Sequence, residues 1–255
     1  FISPIVLDPN NYNLLYAGTN YLWRRDDVTA VWTARLGGQL LSASGNLRSI
    51  AIAPGDTNRI YTGASDGQVW MSTDKGVSWT QINVGLTSLP NRTITYISVN
   101  PANKDEIIVT VSGTGSGHVW KCPNTLAGVA RTWTDVSGSG ITGLPNVPAN
   151  SICNDLFDFD RTWFVGTDLG VFMTENGGAT WTSVTRPLGL PNVRVNDVKI
   201  ATGLQTLFAA TYGRGMWKFD LPKTYWPSSM TVIGGSLFSG TVANLTSSDN
   251  TYVQL

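Results

Sequence analysis

The chain has 255 residues, with 17 Lys and Arg against 17 Asp and Glu, and only 13% of its residues are charged. The balanced charge argues against nucleic acids and anionic membranes as partners, because both attract basic surfaces. Charged residues are about half as common as in an average globular protein, while 27 Gly and 10 Trp are present. This composition argues against a fold built on helices with charged outer faces. No apolar run approaches the roughly 20 residues that span a bilayer, so we predict no membrane insertion.

A unit of about 50 residues recurs along the chain, and it is clearest in residues 49–80. Each of the first four units closes on a tryptophan, and these tryptophans are spaced by 47, 54 and 48 residues: Trp32, Trp79, Trp133 and Trp181. A period of this length is typical of propeller blades.

Every unit contains short segments in which apolar residues alternate with polar ones, separated by Gly, Pro, Asn or Asp. In the second unit these segments are 48–53, 59–64, 68–72 and 78–83. We therefore predict an all-β fold, a β-propeller of four-stranded antiparallel blades, with about five blades in this chain. The fifth unit has only three such segments and ends near Leu221.

Two domains are expected, with propeller blades over residues 1–221 and a C-terminal β extension, or the start of a further β domain, over 222–255. The second segment contains strand-like runs out of phase with the blades, at 229–234, 236–242 and 251–255. A strand at the end of a chain exposes an unpaired edge, which a partner, self-association or further sequence would cover. We expect either that the tail completes the fifth blade or that the chain is part of a larger propeller.

A short motif of the form S/T-x-D/N-x-G-x-S/T-W lies between the third and fourth segments of two units. It supplies Ser72, Asp74, Gly76 and Trp79 in the second unit, and Thr174, Asn176, Gly178 and Trp181 in the fourth. The Asp or Asn side chain can accept hydrogen bonds from N–H groups of the turn, and glycine allows a positive φ there. The tryptophan can then fold between neighbouring sheets and offer its ring N–H to a carbonyl.

The motif and the four-strand period resemble the Asp-box, or BNR-repeat, propellers. That group includes sialidases, xyloglucanase-type glycoside hydrolases and sortilin-type receptor domains. The resemblance implies that the motif is structural and lies on outer turns, so we predict that Asp74 forms a turn and binds no metal. The first unit has a weak form of the motif at 25–32, and the third, with Cys122-Pro123-Asn124 and a longer loop, is expected to have lost it.

Turns alternate between the two faces of such a disc. The Asp-box turns and the turns after each first strand share one face, which we call the box face. The turns after each second strand share the opposite face with the long links between blades, at 86–92, 137–148 and 186–192; we call it the loop-rich face. Binding residues often lie on loops, so the candidate ligand-binding residues are those of this face: Tyr21, Asp66, His118, Asp168, Tyr212 and Arg214. The alternative for Asp66 and Asp168 is that they precede tight turns and bind nothing.

A glycosidase usually needs two carboxylates at a fixed separation. Residues 166–172 resemble the Thr-Asp-x-Gly-Gly segment that carries a catalytic Asp in xyloglucanase-type enzymes, which makes Asp168 the one catalytic candidate. Val171 stands where a second glycine is expected, and the Arg-Ile-Pro motif of sialidases is missing from the sequence.

We therefore predict an extracellular, secreted or cell-surface propeller that binds a carbohydrate or protein ligand without catalysis. One alternative is part of a xyloglucanase-like glycoside hydrolase, and a further one is a segment of a surface or filament protein.

Cofactors and metals are not expected, because His118 is the only histidine and Cys/His clusters do not occur. Cys122 and Cys153 leave two alternatives open, one disulfide or two separate buried thiols. A second set of tryptophans recurs in phase with the repeat and is predicted to lie in the core: Trp23, Trp70, Trp120 and Trp217.

Overall fold

A computed structural model of the protein describes residues 3–28, 30–35, 41–155, 158–187, 189–201 and 206–221. Their strands form five antiparallel sheets that follow one another along the chain. The first two sheets contain β1 (Ile5–Asp8), β2 (Asn11–Gly18), β3 (Leu22–Asp26), β4 (Trp32–Arg35), β5 (Leu47–Ala53), β6 (Asp56–Ala64), β7 (Val69–Ser72) and β8 (Thr80–Gln81). The remaining three contain β9 (Ile94–Val99), β10 (Ile107–Val111), β11 (Val119–Cys122), β12 (Thr134–Asp135), β13 (Ala149–Asn154), β14 (Trp163–Thr167), β15 (Gly170–Thr174), β16 (Thr182–Ser183), β17 (Val195–Ala201), β18 (Thr206–Thr211) and β19 (Met216–Asp220).

Each sheet is a simple meander in which every strand pairs with the next one along the chain. Four sheets have four strands, and the described part of the fifth has three. Helical structure in the described residues is limited to two short 3-10 turns, Gly128–Ala130 and Gly140–Thr142. The prediction of an all-β propeller with about five blades is confirmed, and the three predicted strands of the fifth unit lie among the described residues.

The first strands of consecutive blades lie beside one another around a common axis, in the order β1, β5, β9, β13 and β17. Serine hydroxyls link some of them directly. Ser49 Oγ accepts a hydrogen bond from the Ile97 N–H at 3.0 Å, and Ser151 Oγ accepts one from the Val198 N–H at 2.9 Å. Blades 2 and 3, and blades 4 and 5, are therefore joined at the same level of the repeat.

The core consists of four apolar clusters, one between each pair of consecutive blades. Because a blade is apolar on both of its faces, each of the three middle blades contributes to the clusters on both of its sides. The closing tryptophan of a blade packs into the cluster it shares with the preceding blade, as Trp79, Trp133 and Trp181 do. The blades are thus held together by burial of alternate residues.

The in-phase tryptophans predicted for the core lie at its margins. All four are half-buried, and three of them pack against the core clusters: Trp70, Trp120 and Trp217. Their ring N–H groups are satisfied close by, for example by Gln68 Oε1 at 3.0 Å from Trp70 Nε1.

Both cysteines are free and buried, so the disulfide alternative is excluded. Burial raises the pKa of the Cys122 thiol to about 11 and also raises that of Cys153. Both side chains therefore behave as small apolar groups.

The predicted C-terminal extension, residues 222–255, lies outside the described residues. Within the described ranges, no helix has the length and apolar character needed to cross a membrane.

Candidate functional site

The box turn of blade 2 is organised around one carboxylate. Asp74 Oδ1 accepts hydrogen bonds from the N–H groups of Val77 and Ser78 at 3.0 and 2.8 Å. Its other oxygen accepts the Ser78 hydroxyl at 2.6 Å, and Ser72 Oγ donates to Oδ1 at 2.8 Å. Gly76 has φ +81°, and its carbonyl accepts the Trp79 ring N–H at 3.0 Å. These contacts are those of a turn-forming side chain.

The turn of blade 4 has the same arrangement with an amide in place of the carboxylate. Asn176 Oδ1 accepts the Thr180 N–H at 2.9 Å and the Thr174 hydroxyl at 2.9 Å. Its Nδ2 donates to Thr180 Oγ1 at 2.8 Å. The Trp181 ring N–H reaches Val136 O of the preceding blade. The second glycine, Gly178, has φ +87°, and a Cβ there would lie 2.2 Å from that same carbonyl oxygen, so a larger residue does not fit.

Blade 3 lacks the motif in its sequence, as expected, but it retains the central hydrogen bond of this turn. Asn124 Oδ1 accepts the Thr132 N–H at 3.1 Å, as Asp74 Oδ1 accepts the Ser78 N–H. Asn124 follows Cys122 at the same offset at which Asp74 follows Ser72. An insertion between Asn124 and Thr132 hides the motif in the sequence.

On the loop-rich face, Asp168 bridges blades 4 and 5. Its Oδ1 accepts a hydrogen bond from Asn150 Nδ2 at 2.9 Å and lies 3.3 Å from Arg194 Nε. Asn150 Nδ2 also reaches Val195 O at 2.9 Å. Asp168 therefore holds the start of β13 and the link before β17 together, which sequence analysis did not anticipate.

Tyr212 and Arg214 lie in the next turn of the same junction. The Tyr212 N–H donates to Arg194 O at 2.8 Å, so the residue that pairs with Asp168 also positions this turn. Both side chains are exposed, and Tyr212 is 73% exposed. Asp168, Arg194 and Tyr212 thus form one group at the junction of blades 4 and 5, which we call the junction site.

Asp66 occupies the equivalent turn of blade 2, where it binds the link between blades 1 and 2. Its Oδ2 accepts the Ser42 hydroxyl at 2.9 Å and the Ser44 N–H at 3.3 Å. The side chain is half-buried. These contacts favour a structural role, because they engage Oδ2 from within the fold, although Oδ1 is buried without a hydrogen-bond partner among the described residues.

The other two candidates, His118 and Tyr21, are buried to different extents. His118 is only 2% exposed, and burial lowers the pKa of its imidazole, which Asn146 and Asp135 oppose only in part. Tyr21 is half-buried and packs against the cluster between blades 1 and 2. The structure therefore links Asp168, through Arg194, to the turn that contains Tyr212 and Arg214. Tyr21, Asp66 and His118 lie elsewhere.

Metal-binding groups do not assemble in the part of the chain that the structure describes: no three His, Cys, Asp or Glu side chains come together there. Arg194 and Asn150 are the site residues that the sequence did not reveal. A charged residue in the link that follows the Asp168 turn was the available signal.

No family model matches the chain. Among curated proteins, it is similar to a probable oligoxyloglucan-reducing end-specific xyloglucanase of Neosartorya fischeri, with 28% identity over 205 residues, 72% of this chain and 24% of that protein. It is also 25% identical to a xyloglucanase of Hypocrea jecorina, over 94% of this chain and 33% of that enzyme. The chain therefore spans about a quarter to a third of the length of these relatives.

The fold is similar to solved β-propeller structures. The GH74 xyloglucanase from Xanthomonas campestris matches with a TM-score of 0.62 and 17% identity, over 94% of this chain and 39% of that one. At this identity the likeness establishes the fold alone. The chain is thus a β-propeller whose sequence is similar to part of several xyloglucanases.

Proposed function

We propose that the chain is part of an extracellular glycoside hydrolase of the xyloglucanase type. The observation that carries this proposal is the sequence similarity to curated xyloglucanases over 72% and 94% of the chain. It favours the hydrolase alternative over a non-catalytic scaffold, because no similarity of this kind supports the scaffold. The activity belongs to a whole protein of which this chain corresponds to a fraction.

The junction site is the region that we propose contacts the saccharide. An exposed aromatic ring offers a flat apolar surface to the C–H face of a sugar, and ligand sites combine such surfaces with a few placed polar groups. Tyr212 supplies the ring, and Asp168 and Arg194 supply an acceptor and donors for hydroxyl groups. The link to β13 through Asn150 gives the carboxylate a fixed position.

We assign Asp168 a binding role. Glycoside hydrolysis requires a pair of carboxylates with a defined spacing, and Asp168 supplies at most one of them. Its Oδ1 is also engaged by Asn150 and by Arg194. A side chain fixed in this way suits recognition of a substrate hydroxyl, and its substitution should therefore weaken binding.

The test is binding of xyloglucan oligosaccharides by isothermal titration calorimetry. Tyr212→Ala should weaken binding about tenfold, which is typical of an aromatic residue at the centre of a contact. The matched control is Tyr12→Ala, because Tyr12 is 72% exposed but lies on β2 beside the box face. Asp168→Asn should also weaken binding.

Equal losses in the Tyr212 and Tyr12 variants would contradict the proposed location of the site. Failure of the chain to bind any xyloglucan oligosaccharide would contradict the proposed function. Binding without the appearance of new reducing ends, in the complete protein, would restore the scaffold alternative.

A further inference from the structure

The five first strands line an open cavity of about 360 Å³ along the axis of the blades. The turns after three of these strands border it through Pro9, Pro54 and Pro101, so it lies at the end of the channel nearest the box face. It is therefore separate from the junction site. A cavity of about 300 Å³ or more is large enough for a small organic molecule.

One level of the cavity wall breaks the apolar pattern of the repeat. Leu7, Ile52, Val99 and Ile200 stand at equivalent positions of four first strands, and Asn154 stands there in blade 4. Asn154 is only 7% exposed, and among the described residues neither its Nδ2 nor its Oδ1 has a hydrogen-bond partner. A buried amide without a partner is costly, and a hydrogen bond to a ligand would remove this cost once the side chain turns toward the cavity.

The neighbouring level of the wall carries a cation. Lys199 of blade 5 donates a hydrogen bond to the Tyr96 hydroxyl of blade 3, and its Nζ lies 4.1 Å from the centre of the Tyr96 ring. It also donates to Asp197 Oδ1 at 3.1 Å. The side chain thus reaches past blade 4 and places its ammonium on the cavity wall.

The lining carries one charged side chain, whose ion pair with Asp197 partly balances it. Among the described residues that line the cavity, Lys199 is the only Asp, Glu, Lys or Arg, and Asp197 is not part of the lining. Burial keeps Cys153 in its neutral thiol form by raising its pKa. Most of the remaining lining is aliphatic. An ammonium has three N–H donors, of which Tyr96 and Asp197 use two, so one remains for a ligand.

We propose that this cavity is a binding site for a small monocarboxylate with an apolar body. The carboxylate accepts hydrogen bonds from Lys199 Nζ and Asn154 Nδ2, and the hydrocarbon part packs against the aliphatic first-strand residues. The site is independent of saccharide binding on the loop-rich face.

Benzoate is the probe, and benzamide is its neutral counterpart of the same shape. Isothermal titration calorimetry on the full chain should give saturable binding of benzoate at one site, about tenfold tighter than that of benzamide, because a hydrogen bond to a charged group is stronger than a neutral one. Lys199→Met should abolish this preference. Lys218→Met is the matched control, since Lys218 is an exposed lysine of the same blade outside the cavity.

Two further variants test whether the probes bind in the cavity or on the outer surface. Ala51→Leu fills part of the cavity and should abolish binding of both probes. Asn154→Leu restores the aliphatic residue of the other blades, so it should fold at least as well as the parent chain and bind benzoate less tightly. Binding of xyloglucan oligosaccharides should be unchanged in all of these variants.

Absence of saturable benzoate binding would overturn the proposal. Equal affinity of the parent chain and the Lys199→Met variant for benzoate would overturn it as well. Thermal unfolding of each variant, recorded beforehand, verifies that a loss of binding comes from a folded protein.

Discussion

The turns that close blades 2 and 3 perform the same task with different lengths of chain. Blade 2 closes between Ser72 and Trp79, whereas blade 3 needs the longer segment from Cys122 to Trp133. Both deliver a buried tryptophan to the cluster shared with the preceding blade. Both also use a side-chain oxygen, of Asp74 or of Asn124, to hold the far end of the turn.

The extra residues of blade 3 are packed around a buried arginine. Arg131 is 3% exposed, and its guanidinium donates to the carbonyl oxygens of Thr125 at 3.0 Å and Val84 at 2.9 Å. The backbone oxygen of Arg131 accepts the Leu86 N–H at 2.8 Å. The comparison shows that the central hydrogen bond and the tryptophan define this turn, and that its length is free if the insertion satisfies its own polar groups.

The largest effect should come from removing a tryptophan. Trp133→Ala should lower the free energy of unfolding by about 3–5 kcal/mol, because it empties a buried site and leaves Ile82 O without the ring N–H that it now accepts at 2.8 Å. Trp32→Ala should cost about 0.5 kcal/mol, since Trp32 closes the weak turn of blade 1 and is 41% exposed. Urea denaturation of both variants measures the difference. Similar losses would show that burial of the closing tryptophan is not what holds the blades.

A smaller effect should come from the oxygen that holds each turn. Asp74→Ala should cost about 2 kcal/mol, because the carboxylate accepts bonds from two N–H groups and two hydroxyls. Asn124→Ala should cost about 1 kcal/mol, since its Oδ1 accepts the Thr132 N–H and a weak bond from the Cys122 thiol. Urea denaturation of both variants measures which of the two losses of stability is larger. A larger loss for Asn124→Ala would mean that the blade 3 insertion depends on this bond more than the short turn does.

The architecture could be predicted because the information for it is local and repeated. Strand alternation, turn residues and the spacing of Trp32, Trp79, Trp133 and Trp181 recur along the chain and support one another. The hydrogen bond that blade 3 retains was not predicted because an insertion changes the spacing, although the offset from Cys122 to Asn124 was visible. A motif that is defined by fixed spacing is not recognised where an insertion lengthens the loop.

The candidate site was harder to predict because its contacts join different blades. Asp168 and Arg194 belong to successive blades, and Lys199 meets Tyr96 two blades away. A local sequence pattern does not indicate which residues of different blades contact one another. His118 follows a glycine-rich turn and was expected at the surface, but its side chain is buried. Which loop residue turns inward depends on packing between blades.

The smallest change in stability should come from replacing the carboxylate of the blade 2 turn by the amide found in blade 4. Burial raises the pKa of Asp74, but hydrogen bonds from Ser78, Ser72 and Val77 outweigh it and hold the pKa below its ordinary value. The ionised carboxylate therefore stabilises the fold above about pH 3.9, and this contribution is lost as the pH falls through the lower folded-state pKa. Asp74→Asn reproduces the blade 4 arrangement, in which Asn176 Nδ2 donates to Thr180 Oγ1.

At pH 7 the Asp74→Asn variant should be less stable than the parent chain by about 0.5 kcal/mol, a modest value because the side chain is partly solvated. The difference should shrink as the pH falls below about 3.9, since the parent then loses the ionised form. Urea denaturation at pH 7 and at lower pH measures both values. The reverse substitution, Asn176→Asp, should add the same pH dependence to blade 4, because a carboxylate there meets the same N–H and hydroxyl donors. A difference that stays constant with pH would show that the charge of Asp74 contributes nothing and that the two turns are equivalent.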